Sequence, residues 1–250
     1  MAVEDAQVQS FLFYKVGTAI GISGVIWYFR GTIMHHIYHR MFAWFMNRIT
    51  DRMNRGLWRK KERLFEVVKD YKEKVNKDLS ILEVGAGTAT NLKFFPSNTR
   101  LTCLDPNPHF AGYIENNLKT TDTVVQAEIV QGFAEKMPLE DNKFDVVVCT
   151  LVLCSVTDVS KSLQEIKRVL KPGGIFLCLE HVAAEKNTWT WTFQCIANPF
   201  HYYIGDGCLT KRDTELYLKD ATFKELQVER FMSKSLPFWL KPCILATASV

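Results

Sequence analysis

The sequence predicts an α/β protein, with a mostly parallel seven-stranded sheet covered by helices on both faces and an N-terminal membrane helix. Three observations predict it. Short apolar runs alternate with helical patterns from residue 79 onward, the signature of strands joined by crossover helices. One of those strands runs into a glycine turn, Gly85-Ala-Gly87. A stretch of small and apolar residues, Phe11–Phe29, interrupted only by Lys15, Thr18 and Ser23, stands ahead of the whole array.

Taken in order, Leu57, Leu64, Val67, Val68 and Tyr71 recur at helical spacing among charged residues. They predict an amphipathic helix over 57–75, closed by Asn76 and Asp78. A strand over 79–84, a helix over 88–95, a strand over 100–104, a helix over 108–118 and a strand over 124–130 follow. Next come a strand over 144–151, a helix over 159–170, a turn at Lys171-Pro-Gly-Gly174 and a strand over 175–179. Val159, Leu163, Ile166 and Leu170 form one stripe of the helix, with Lys161, Glu165, Lys167 and Arg168 outside it, so the stripe packs on the sheet. Trp189, Trp191, Phe193, Phe200, Tyr202 and Tyr203 crowd the segment before Gly205-Asp-Gly207, which predicts an apolar substrate wall at the carboxyl end of a central strand. A helix over 211–218 and strands over 223–230 and 243–248 complete the chain.

Charge and hydropathy divide the chain at about residue 56, into a hydrophobic and basic segment, 1–56, and an α/β domain, 57–250. Residues 30–63 hold nine Lys/Arg against two acids, whereas the whole chain carries +4. Such a block marks a surface that meets something anionic, and the apolar neighbour selects phospholipid over nucleic acid. As a helix, Phe11–Phe29 would extend roughly 28 Å, about one bilayer core. Glu4 and Asp5 precede it and Arg30, Arg40, Arg48 and Arg52 follow it, which places the bulk of the chain on the cytosolic side. Seven cysteines without a CxxC pair exclude a disulfide framework and give no zinc pattern, so no metal is expected. His35, His36 and His39 lack an evident third ligand.

The chemistry sits around the glycine turn. Gly85, Ala86 and Gly87 let the backbone approach a ligand that side chains would exclude. Asp105, ending the next strand in Asp105-Pro-Asn-Pro108, can accept both ribose hydroxyls of a nucleoside. The third glycine of a dinucleotide fingerprint is absent, with Ala89 and Thr90 in its place. Glu83 stands two residues before the turn, where a carboxylate suits a cationic amino group better than a phosphate. Phe133, Ala134 and Glu135, after the third strand, offer a ring and backbone for adenine.

This ordered set of motifs resembles the class I S-adenosylmethionine-dependent methyltransferases, whose fold is Rossmann-like. The resemblance implies S-adenosylmethionine as cofactor, held by Glu83, Gly85, Ala86, Gly87, Asn91, Asp105, Pro106, Asn107, Phe133, Ala134, Glu135 and Thr150. A nearer resemblance runs through Cys103-Leu-Asp-Pro-Asn-Pro-His-Phe110, Val147-Val-Cys-Thr-Leu-Val-Leu-Cys-Ser155, Glu180-His-Val182 and Ile204-Gly-Asp-Gly-Cys208. These segments are similar to the animal membrane-associated thiol S-methyltransferases. That implies small lipophilic thiol substrates and a place on the endoplasmic reticulum membrane and lipid droplets, the catalytic domain facing the cytosol.

Transfer from a sulfonium is an in-line displacement, so the protein has chiefly to align three atoms and exclude water. A thiol needs only a modest proton acceptor, and His181 and Asp206 are the candidates, with wall positions as their plainer role. Cys149 and Cys154 read as core residues. A carbon or oxygen methyltransferase of a lipid or quinone and a non-catalytic lipid-droplet protein are the rival expectations. Base methylation is disfavoured, since the strand after Asp145 continues Cys-Thr-Leu-Val and not into the motif that grips an exocyclic amine.

Overall fold

The computed structural model of the chain describes residues 2–250, with side chains described at residue 31 and from residue 34 onward. Helix α1 (Ala2–Val75) contributes to two compact units, one ending at Phe42 and one running from Ala43 to Val250. Ala43, Asn54 and Leu57 are all buried in the second unit. The stretch Phe11–Phe29 lies outside the residues whose side chains are described, and among the described residues no helix is long and apolar enough to cross a membrane.

The second unit is organised on one seven-stranded sheet, ordered β3-β2-β1-β4-β5-β7-β6. Its strands are β1 (Ser80–Val84), β2 (Thr99–Asp105), β3 (Val124–Gln131), β4 (Phe144–Thr150), β5 (Leu170–His181), β6 (Glu225–Met232) and β7 (Pro242–Ser249). The first five are parallel, and β7 inserts antiparallel between β5 and β6. Strands β1 and β4, buried on both faces, read as apolar runs broken only by Ser80 and Glu83 in the one and Asp145 and Thr150 in the other. Helices α2 (Ala111–Leu118), α3 (Val159–Val169), α4 (Trp189–Ile204) and α5 (Thr214–Asp220) complete the unit. Val159, Leu163 and Ile166 of α3 face the core as their spacing predicts, and Asp158 caps the helix by accepting from Lys161 N at 3.1 Å.

Three expectations are corrected. The helix expected over 88–95 is only a 3-10 turn, Leu92–Phe94, because Ala89 adopts a left-handed φ of 54° and Pro96 closes the segment. Lys171-Pro-Gly-Gly174 is no separate turn but a register shift inside β5, between the Phe144–Leu170 and Val146–Ile175 pairs. The aromatic segment is helix α4, and it is turned inside out. Gln194 is fully buried and ties the helix down, donating to Val182 O (3.1 Å) and Trp239 O (2.9 Å) and accepting from Ala184 N (2.8 Å). Trp189 (85%), Phe200 (70%) and Tyr203 (75%) point outward, so these rings do not form an enclosed wall. The helical period that draws Gln194 inward carries them to the opposite face.

Candidate active site

The parallel strands end together at the edge of the sheet where β1 gives way to the glycine turn. Gly85 and Gly87 take φ values of 62° and 53°, which side chains rarely adopt. A Cβ on Gly85 would also lie 2.3 Å from Val152 Cγ2, whereas above Gly87 the nearest atom, Gly85 O, is 4.0 Å away. The first glycine is required by the protein's own packing; the second leaves open the space a ligand would take.

Asp105, at the end of β2, holds this turn in shape. Its Oδ2 accepts from Gly87 N and its Oδ1 from Asn107 N, both at 2.9 Å. Burial, with the Asp206 charge adding to it, pushes its carboxyl up to about 6, against the pull of those two N–H groups. Each oxygen keeps a lone pair for a ribose hydroxyl. Asn107 in turn accepts from His109 N at 3.0 Å, so Asp105-Pro-Asn107 is a rigid corner. Pro106 O accepts from Gln131 Nε2 at 3.2 Å.

Glu83 is the acid on the other side of the turn, 2% exposed. Its Oε1 accepts from Asn91 Nδ2 at 2.7 Å, while its Oε2 is buried with no hydrogen-bond partner. Burial pushes its carboxyl up to about 7, although Asn91 and Lys61 both oppose the shift. An orphaned buried carboxylate oxygen beside an open glycine turn is what the ammonium of a methionyl group would complete, so the residues fit the expected cofactor.

Sequence reasoning missed Lys61. This residue of α1 is 3% exposed and donates to Asn54 Oδ1 (2.6 Å) and Asn91 Oδ1 (2.8 Å). Burial pulls it down to about 8, with Glu83 working in the opposite direction. The readable signal was position: Lys61 falls on the same helical stripe as Leu57, Leu64 and Val68, where an unpaired lysine is costly. Asn91 also donates to Thr150 Oγ1 at 3.0 Å, so its amide is spent inside the protein and it acts by orienting Glu83.

The remaining predicted residues lie around this centre. Ala86 and Ala134 are buried, and Phe133 stands exposed at the rim. Glu135 is drawn away by its side chain, whose Oε1 accepts from Thr157 N at 2.6 Å. Asp206, in the turn after α4 with φ 51°, is near enough to Asp105 for its charge to act there. His181, the last residue of β5, is buried with Nε2 3.0 Å from Cys208 Sγ. Its neighbour Glu180 accepts from Val152 N (2.6 Å) and Leu153 N (2.8 Å), fixing the loop after β4. A cavity of about 310 Å³ lined by Val182, Thr188, Arg230, Met232 and Pro242 borders none of the predicted site residues.

The family described as "Methyltransferase domain" matches residues 82–178, from Glu83 through Thr150 into β5. Human thiol S-methyltransferase TMT1B is 40% identical over 190 residues, covering 76% of this chain and 78% of the relative. Human TMT1A is 37% identical over 195 residues, covering 78% and 80%. The ubiquinone/menaquinone biosynthesis C-methyltransferase UbiE of Brucella abortus is 34% identical over 129 residues, 50% and 46% of the two chains. Among solved structures, the [4+2]-cyclase SpnF has a TM-score of 0.56 at 18% identity, over 75% and 80% of the two chains. A SAM-dependent methyltransferase from Methanosarcina mazei reaches 0.54 at 19%, over 69% and 92%. The glycine turn between two buried acids has the make-up that S-adenosylmethionine needs, and the relatives show the enzyme class: the chain belongs to the S-adenosylmethionine-dependent methyltransferase family that includes the thiol S-methyltransferases TMT1A and TMT1B.

Proposed function

We propose that this methyltransferase alkylates the sulfur of small lipophilic thiols, and does so at a membrane surface. The observation that carries the acceptor is kinship: both human relatives, matched over about three quarters of this chain, are named thiol S-methyltransferases. S-adenosylmethionine supplies a methyl carbon already activated toward in-line displacement by its sulfonium. The chain's own work is placement. Glu83, oriented by Asn91, takes the cofactor's ammonium; Lys61, the buried cation beside it, balances the cofactor's carboxylate; Asp105 takes the ribose. With the donor fixed from three sides, a thiolate needs little beyond alignment and a dry approach.

The membrane reading is supported by α4. Its outward face carries Trp189, Phe193, Ile196, Phe200, Tyr203 and Ile204, all exposed, while its fully buried side chain is the polar Gln194. An aromatic, apolar face of this kind suits the interface between headgroups and acyl chains. Met41, Trp44 and Phe45 are likewise exposed, with the Arg48 guanidinium 5.6 Å from the Trp44 ring. The apolar run Phe11–Phe29 and its basic flank support an anchor in the endoplasmic reticulum or lipid-droplet surface, with the sheet on the cytosolic side. Asp206-Gly207 follows α4 directly, which would bring a membrane-dissolved acceptor close to the transfer site.

The test is transfer of labelled methyl by membrane-bound protein to thiol, phenol and quinone acceptors of matched lipophilicity. Thioether as the main product is the expected result; preferential methylation of quinone carbon or phenol oxygen overturns the thiol assignment. The carbon-acceptor reading is the one that the likeness to UbiE favours.

A further inference from the structure

Three soft donors that the sequence scatters converge at the carboxyl edge of the sheet. Cys154 comes from the loop after β4, His181 from the end of β5 and Cys208 from the turn after α4. His181 Nε2 and Cys208 Sγ are 3.0 Å apart, Cys208 Sγ and Cys154 Sγ are 3.5 Å apart, and all three donor atoms lie within 4.8 Å of one another. All three residues are buried, and both cysteines are reduced. Neither the methyl-transfer chemistry nor the packing of a core requires two thiols and an imidazole to meet.

The geometry points to a zinc site at Cys154, His181 and Cys208, three-liganded by the protein, whose fourth position receives the acceptor thiolate. The donor set selects the metal. Two sulfurs and one imidazole bind Zn²⁺ well and hard cations such as Mg²⁺ or Ca²⁺ poorly. Zinc–sulfur bonds of about 2.3 Å and zinc–nitrogen bonds of about 2.0 Å set tetrahedral donor atoms roughly 3.5–3.8 Å apart, so the 3.0 Å separation of His181 and Cys208 opens by about half an ångström to take the ion. Cys154 and Cys208 sit in loops, where such a shift is easily absorbed.

A second observation concerns His181 itself, whose Nδ1 is buried with no hydrogen-bond partner. Glu180, adjacent to His181 and fully buried, has an Oε2 with no partner. Binding releases the protons of the Cys154 and Cys208 thiols to solvent, leaving a neutral Zn(Cys)₂His centre. Three protein ligands with one position open is the pattern of catalytic rather than structural zinc. An acceptor R–SH entering that position loses its proton to solvent and stays bound as a thiolate. The new bond then forms between its sulfur and the methyl carbon as the bond from that carbon to the donor sulfonium breaks. This acceptor step rests on the thiol reading above; the metal site does not.

The experiment uses the full chain in detergent or nanodiscs, with all thiols titrating as reduced, loaded with Co²⁺ as a spectroscopic stand-in for Zn²⁺. The expected result is one equivalent bound, with a thiolate-to-cobalt charge-transfer band and tetrahedral d–d bands, displaced by Zn²⁺. Cys154→Ser and Cys208→Ser should weaken cobalt binding at least tenfold while still binding S-adenosylmethionine, which certifies their fold. Absence of the charge-transfer band in the reduced parent, or an undiminished band in both variants, overturns the site. A lipophilic thiol should shift the d–d bands; bands that stay fixed at saturating thiol overturn the acceptor step. Neither result touches the thiol reading itself, which the acceptor panel reads from product.

Discussion

Lys61 Nζ donates to Asn91 Oδ1 across 2.8 Å, joining the helix before the sheet to the residue that orients Glu83. The hydrogen-bond network around Glu83 therefore extends beyond the strands and glycine turn that carry the family's motifs: a buried cation from α1 joins it. Replacing Lys61 with Met keeps the length and apolar stem but removes the charge. A lost buried charge-assisted bond is worth about 1–3 kcal/mol, so S-adenosylmethionine should bind roughly 5- to 150-fold more weakly by calorimetry. Unchanged affinity would mean that Lys61 only supports packing.

The two acids beside the glycine turn set a pH dependence. Glu83 is held at about 7 and Asp105 at about 6, and both serve the cofactor as carboxylates. Below those values each must first lose a proton, so binding weakens as pH falls through 7 and 6; above about 8, where Lys61 gives up its charge, it weakens again. A single group near 7 makes affinity about tenfold weaker at pH 6 than at pH 8. In Glu83→Gln the limb near pH 7 should vanish, leaving the Asp105 limb at lower pH and the Lys61 limb at higher pH.

Asp105→Ala removes the acceptor of two backbone N–H groups as well as of the ribose. Cofactor binding and turnover should disappear together, and stability should fall by about 1–3 kcal/mol because the N–H groups of Gly87 and Asn107 lose their partner. Binding that survives in a folded variant would refute the ribose assignment.

At Gly85 the prediction is steric. A methyl group there meets Val152 and forces a left-handed backbone on an L-residue. The combined cost is about 2–4 kcal/mol. Thermal denaturation of Gly85→Ala should show it, and adding Val152→Ala should recover the clash but not the backbone strain.

On α4, Phe200→Ser and Tyr203→Ser alter exposed side chains, so the melting temperature should barely move. The KM for a lipophilic thiol presented in vesicles should rise severalfold while that for a water-soluble thiol stays constant. Equal effects on both acceptors would separate α4 from the membrane.

Much of this protein was legible without coordinates. Alternating apolar runs fixed the strands because buried parallel strands admit little else, and the spacing of Glu83, Gly85, Gly87 and Asp105 exposed a site whose residues lie within two neighbouring strands. The α3 stripe packed as its period required. What failed was local or long-range. No pattern at 88–95 announces that Ala89 will turn left-handed and end a helix before it begins. The aromatic run before Gly205 announces hydrophobicity but not which face of α4 the single buried Gln194 will claim.

By itself the sequence determined the sheet and the charge logic of a cationic methyl donor, since both follow from short-range periodicity and residues a few positions apart. Only the tertiary structure decided that Lys61 joins the network around Glu83 and that Cys154, His181 and Cys208 share one point. Those meetings are made by packing between distant segments, and in a linear sequence a buried lysine or cysteine is written with the same letter as an exposed one.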